Sequence, residues 1–168
     1  MKYALLIIDM QKGFLRDRTC SPDLESVLEY INAAVELFNG ANQPVFIIQD
    51  EDAREEPGHD SYELIDGLTR DIRSPVFLSK KYSNAFWQTS LEERLRAQEA
   101  QFLVLTGFAA EGCVNYTYNG ALERDFHAVV LKNGITSYKS RYAGFVQEIC
   151  NTLSYSTLRF LLAQENRG

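Results

Sequence analysis

Apolar positions along the chain follow two patterns. The first is the short continuous run: Tyr3–Ile8, Pro44–Ile48, Val76–Leu78, Phe102–Leu105 and Ala128–Leu131. Runs of this length, closed by charged or turn residues, read as strands buried on both faces. The second pattern is a stripe at helical spacing. Leu24, Val27, Leu28, Ile31, Ala34, Val35 and Phe38 form one, opened by Ser21 as N-cap and Pro22 at the first helical position, and closed by Asn39-Gly40. Thr89-Ser90-Leu91-Glu92 reads as a capping box for a helix running to about Ala97. Beyond Gly112, the spacing of Val114, Tyr118, Ala121 and Leu122 predicts a helix from about Glu111 to Asp125. A short helix is expected within Ser61–Thr69. Asn133-Gly134 is read as breaking the fifth strand. Arg141–Ala163 reads as mostly helical, with a short sixth strand near Leu158–Leu161 left open.

A strand, a helix and a second strand in that order require a right-handed crossover and a parallel sheet. The expected fold class is therefore α/β: one domain over residues 1–168, three-layer α/β/α, with a doubly wound parallel sheet of five to six strands. The length of 168 residues agrees with a single domain.

Charge and composition narrow the function classes. Lys plus Arg is 17 and Asp plus Glu is 23, a formal charge of −6 without a basic cluster, which argues against nucleic-acid binding. No apolar run is long enough for a transmembrane helix. Met1-Lys2-Tyr3 enters a strand directly, without signal-peptide architecture, so a cytoplasmic location is expected. Cys20, Cys113 and Cys150 have no C-x-x-C or metal spacing and read as free thiols. Gln49–His59, rich in acidic residues, reads mainly as a solvated loop; Asp50 and Asp52 are its candidates for a hard cation.

Three chemistry-bearing residues fall at predicted strand ends: Asp9, Lys80 and Cys113. In a parallel sheet this is the carboxyl edge, where ligands bind. Taken singly, each has a plain structural reading, Asp9 as a turn residue and Cys113 as a core thiol. Together they make a nucleophile, a base and a cation. A carboxylate accepts the thiol proton. A helix N-terminus and a lysine cation predict a Cys113 pKa below that of a free thiol. His59 falls in a charged loop and His127 before a strand, so a Cys–His pair is the weaker reading.

The segments LLIIDMQKGF, KKYSNAFWQTSLEERL and LTGFAAEGCVNYTYNGALERDF resemble, in order and spacing, the three signature regions of the isochorismatase-like cysteine hydrolases. That family includes nicotinamidases, N-carbamoylsarcosine amidohydrolases and isochorismatases. The resemblance covers about Tyr3 to Ser137. It implies Asp9 as base, Cys113 as nucleophile and Lys80, rather than Lys81, as third catalytic member. It implies a substrate pocket including Phe14 and Phe86. It also implies a non-proline cis peptide at Phe108–Ala109, which would aim the Ala109 N–H, with that of Cys113, at an oxyanion.

Nicotinamidases carry an Asp-x-His metal motif after the second strand. Here Gln49-Asp50-Glu51-Asp52 stands in its place, so neither metal nor cofactor is expected. The function implied is hydrolysis of an amide or ureido C–N bond in a small molecule through a thioester. The alternatives are vinyl-ether hydrolysis of the isochorismatase type and a non-catalytic interaction protein on the same fold. A nucleotide-binding module is a weaker rival, because Asp9–Gly13 holds a single glycine. By resemblance the chain is expected to be a homo-oligomer, dimer or larger.

Overall fold

The computed structural model describes residues 1–16, 24–53 and 60–165. The Ser21-Pro22 helix opening, Cys20 and His59 lie outside these residues. Six strands form one sheet: β1 (Lys2–Ile8), β2 (Val45–Asp50), β3 (Val76–Lys80), β4 (Ala100–Gly107), β5 (His127–Ile135) and β6 (Thr152–Leu153). All pairings are parallel, in the order β3-β2-β1-β4-β5-β6. The winding reverses between β1 and β4, which leaves a crevice outside their carboxyl ends.

The unbroken apolar run of β1 is explained by cover on both faces. Tyr3, Leu5 and Ile7 pack against α2 (Leu24–Gly40) and α6 (Tyr155–Glu165). Ala4, Leu6 and Ile8 pack against α3 (Leu91–Ala97), α4 (Asn115–Leu122) and α5 (Ser140–Ile149). Val27, Ile31, Val35 and Phe38 of the α2 stripe are all buried; each such side chain contributes about 1.5–3 kcal/mol by leaving water. The result is the three-layer α/β/α arrangement expected, with six strands. Among the described residues no helix is long and apolar enough to cross a membrane.

β1 and β4 lie in register down to Ile8↔Gly107. Gly107 has φ +111, and a Cβ there would collide with the Ile8 backbone. Only glycine lets the two central strands end side by side.

Several elements differ from the sequence reading. The sixth strand is Thr152–Leu153, paired with β5, whereas Leu158–Leu161 lies inside α6. β5 runs through Asn133-Gly134; Asn133 adopts φ 64, and the register with β4 jumps from Leu105↔Val130 to Gly107↔Ile135. Within Ser61–Thr69 the only helical turn is 3-10, over Asp60–Tyr62. The capping box is not formed. The Thr89 hydroxyl donates to the Ala85 carbonyl and accepts from the Leu91 N–H, while Glu92 pairs with Arg96 and Arg124. The predicted Glu111–Asp125 helix begins instead as a π turn, Ala110–Val114, with Gly112 in a non-helical conformation, followed by α4.

Candidate active site

Asp9 leaves β1 in a left-handed conformation, φ 51. Its N–H donates to the Ile48 carbonyl at 2.9 Å, and its own carbonyl accepts from the Gln11 N–H at 2.8 Å. This kink turns the carboxylate into the crevice, where it is 1% exposed. Lys80 is the last residue of β3, opposite Asp50 of β2. Strand alternation buries Lys80 and exposes Lys81, which reaches Glu51 at 3.7 Å. Cys113 comes from the π turn. That turn is pinned by Ala110 N–H to the Thr136 carbonyl at 2.8 Å, Thr136 N–H to the Gly107 carbonyl at 2.9 Å, and the Ser137 hydroxyl to the Glu111 carboxylate.

The three residues meet at the Lys80 ammonium. Nζ lies 2.8 Å from Asp9 Oδ2 and donates to the Cys113 sulfur at 3.3 Å. Its third partner is Asp50 Oδ2, a contact the sequence reading missed. Asp50 sits in an acidic run that reads as solvent-facing, but β2 extends two residues beyond its apolar core and carries Asp50 inward, 7% exposed. Asp50 Oδ1 accepts from the Asp52 N–H at 2.9 Å. Gln11, fully buried, clamps the Asp50 peptide from both sides: its Oε1 accepts the Asp50 N–H at 2.7 Å and its Nε2 donates to the Asp50 carbonyl at 3.2 Å.

Burial pushes the Asp9 carboxyl up to about 6, against the pull of Lys80. Burial, then the Asp9 charge, pushes the Cys113 thiol up to about 12, with Lys80 opposing. For Lys80, burial works to deprotonate it, but Asp9, Cys113 and Asp50 outweigh that and hold the ammonium above the ordinary lysine range. At neutral pH the resting set is therefore thiol, carboxylate and ammonium. The expected depression of the Cys113 pKa is not found, because the thiol is desolvated by burial and faces the Asp9 charge, which together outweigh Lys80.

A cleft of about 250 Å³ opens over this group. One wall is aromatic: the Phe14 and Phe108 ring centroids are 5.9 Å apart, and Tyr138 stands edge-on to Phe108 at 4.8 Å. Ser83 and Asp52 also line it. Phe14 comes from α1 (Lys12–Leu15), which Lys12 ties to Asp60, Glu63 and Asp66 at 3.1–3.4 Å. Phe86 does not line this cleft. It packs in the core below α3 and α4, stacked on Phe126 at 5.8 Å, with the Arg124 guanidinium over its ring at 5.1 Å from the centroid. Tyr138 and Ser83 were not identified from sequence, since they lie in loops with no periodic pattern. A larger cavity, about 410 Å³, opens between α2 and α5, but its lining holds no thiol and no charged side chain.

The Phe108–Ala109 peptide is cis, as the resemblance implied. Among the described residues the Ala109 N–H makes no backbone hydrogen bond. Asp9 Oδ1 is buried with no hydrogen-bond partner among them.

Metal binding fits this donor set poorly. Ligand atoms of Asp9, Asp50 and Cys113 lie within 4.8 Å of one another, but the Lys80 ammonium already bonds all three and takes the position of a cation. His127 begins β5, at the opposite end of the strands from the crevice.

Residues 3–148 match the isochorismatase domain family. The isochorismatase family protein YaaI of Bacillus subtilis is 26% identical over 145 residues, 80% of each chain. The ureidoacrylate amidohydrolase RutB of Methylorubrum extorquens is 36% identical over 70 residues, covering 42% of this chain and 28% of that protein. In fold, the chain is similar to N-carbamoylsarcosine amidase from Thermoplasma acidophilum, with TM-score 0.77, 24% identity, and coverage of 92% of this chain and 95% of that one. A match over residues 3–148, on a sheet and crevice of this form, places the chain in the isochorismatase family of hydrolases.

Proposed function

We propose that this hydrolase cleaves an amide or ureido C–N bond of a small molecule through a thioester on Cys113. The observation that carries the reading is the buried Lys80 ammonium joining the Asp9 carboxylate at 2.8 Å and the Cys113 sulfur at 3.3 Å beneath a cleft. The C–N chemistry in the name of the ureidoacrylate amidohydrolase supports it.

Because Cys113 rests as a thiol, its proton moves to Asp9 as the sulfur attacks the carbonyl. The oxygen that gains charge turns toward the N–H groups of Ala109 and Cys113. Asp9 then passes the proton to the nitrogen, and ammonia or an amine leaves. Water enters, Asp9 takes its proton, and the thioester is hydrolysed to acid and thiol. Lys80 keeps its protons throughout; it holds Asp9 in place and offsets its charge.

Intact-protein mass spectrometry against a panel of small amides and ureido compounds tests the proposal. The expected result is an acyl adduct on Cys113 with release of ammonia or amine, and neither with Cys113→Ala. Hydrolysis of a vinyl ether by Cys113→Ala at the wild-type rate, without amide turnover by the parent, would replace this reading.

A further inference from the structure

We propose that Asp50 is a positioning residue of this site: it draws the Lys80 ammonium toward β2, so that Asp9 remains a usable base and Cys113 keeps its proton until substrate arrives. The kinetic consequence rests on the amidohydrolase reading above; the effect on the thiol does not.

An ammonium has three N–H donors. Lys80 spends them on Asp9, Asp50 and Cys113. Asp50 itself has no freedom to do anything else. Its Oδ2 is bound by Lys80, its Oδ1 by the Asp52 N–H, and both sides of its peptide by Gln11. Gln11 also hangs from the Asp9 carbonyl through its own N–H. One glutamine thus fixes the separation of the two carboxylates that share one lysine. This is more fastening than a turn residue requires, and it leaves Asp50 to act through Lys80.

The consequence lies in where the proton is kept. The charged and titratable groups facing Lys80 are Asp9 from the end of β1, Asp50 from β2 and Cys113 from the turn before α4, with Asp52 at the rim. Two carboxylates against one ammonium leave a net negative charge around the thiol, which disfavours a thiolate. Asp9 is raised chiefly by burial, and the Asp50 charge adds to it. The leaving nitrogen needs one proton. Held on Cys113, it passes to Asp9 and then to nitrogen, and the step balances within the site. Were Asp50 neutral, Lys80 would favour the Cys113 thiolate and the Asp9 carboxylate more strongly, and the proton would be held less firmly on Cys113.

Asp50→Asn keeps an oxygen for the Asp52 N–H and removes the charge. The readout is the pH dependence of iodoacetamide alkylation of the full chain, followed on the Cys113 peptide by mass spectrometry. The profile should move to lower pH by about one unit, making Cys113 roughly tenfold more reactive at neutral pH. With an amide substrate, the acid limb of kcat/KM should move down in parallel. Asp50→Ser gives the same readout if Asn disturbs the fold, and Asp50→Glu, which keeps the charge, should leave the thiol profile near wild type. An unchanged profile in folded Asp50→Asn, an equal shift in Asp50→Glu, or loss of folding in all three would overturn the proposal. Absence of amide turnover with the thiol shift intact would count against the reaction and not against Asp50.

Discussion

The Nζ of Lys80 lies 3.3 Å from the sulfur of Cys113, yet the sulfur is held as a thiol. Proximity of a cation does not by itself make a thiolate. Burial of the sulfur decides first and the neighbouring Asp9 charge second, and Lys80, which two carboxylates also reach, does not outweigh them.

That balance sets the pH dependence. Asp9 is raised from 3.8 to about 6. Below that pH it takes a proton from solvent and no longer accepts one from Cys113, so kcat/KM should fall with decreasing pH through about 6 and stay level above it. Stability runs the opposite way. The folded-state pKa exceeds the unfolded one, so the Asp9 contribution is complete below 3.8 and is lost as pH rises through about 6. A kcat/KM profile measured on any accepted substrate checks this; a plateau extending a full unit lower would remove Asp9 as base.

The three central residues should fail as a unit. Cys113→Ala, Asp9→Asn and Lys80→Met are each expected to cost several powers of ten in turnover, and the double variants little more, because each disables the same proton-coupled attack. Lys81→Met is the control. Its side chain is exposed, and its loss should change turnover by less than about tenfold. Single-turnover rates of the set provide the measurement. Additive losses would show that the residues act in separate steps.

Phe14 and Phe86 should part company. Phe14 lines the cleft, so Phe14→Ala should raise KM and leave the melting temperature close to the parent's. Phe86 is buried against Phe126, so Phe86→Ala should cost about 3–5 kcal/mol of stability and leave KM unaltered where the protein stays folded. Thermal melts beside Michaelis kinetics distinguish them, and a reversed pattern would mean the cleft wall is wrongly drawn.

Turnover should survive exhaustive chelation. The three clustered ligand atoms already bind the Lys80 ammonium, and a divalent ion there would have to displace it. Loss of activity on chelation with recovery on adding zinc would reverse this.

Asp9, Lys80 and Cys113 were legible because each follows an apolar run whose end a reader can see. The choice of Lys80 over Lys81 came from the resemblance, through the six-residue spacing to Phe86, and the alternation of β3 gives its physical reason: Lys80 points inward and Lys81 outward. Asp50 was not legible. Its neighbours Glu51 and Asp52 make the run look solvated, and only the β2–β3 register shows that Asp50 meets Lys80. Phe86 was misread because motif spacing locates a residue along the chain but not the direction of its side chain, which packing against Phe126 decides. The late start of the helix after Cys113 escaped because periodicity does not report a π turn. The sixth strand is two residues long, too short for any pattern to mark.

Lys12 and its ring of Asp60, Glu63 and Asp66 have one further consequence. These acidic side chains are 42–89% exposed, whereas Lys80 and Asp9 are sheltered at 0% and 2%. Ionic strength acts on the first set and hardly on the second, since mobile ions screen only charges they can surround. Salt therefore loosens the fastening of α1, and with it the Phe14 side of the cleft, while the ammonium and its partners keep their attraction. On the proposed reading, salt then bears on how a substrate is held in the cleft and hardly on the chemistry beneath it.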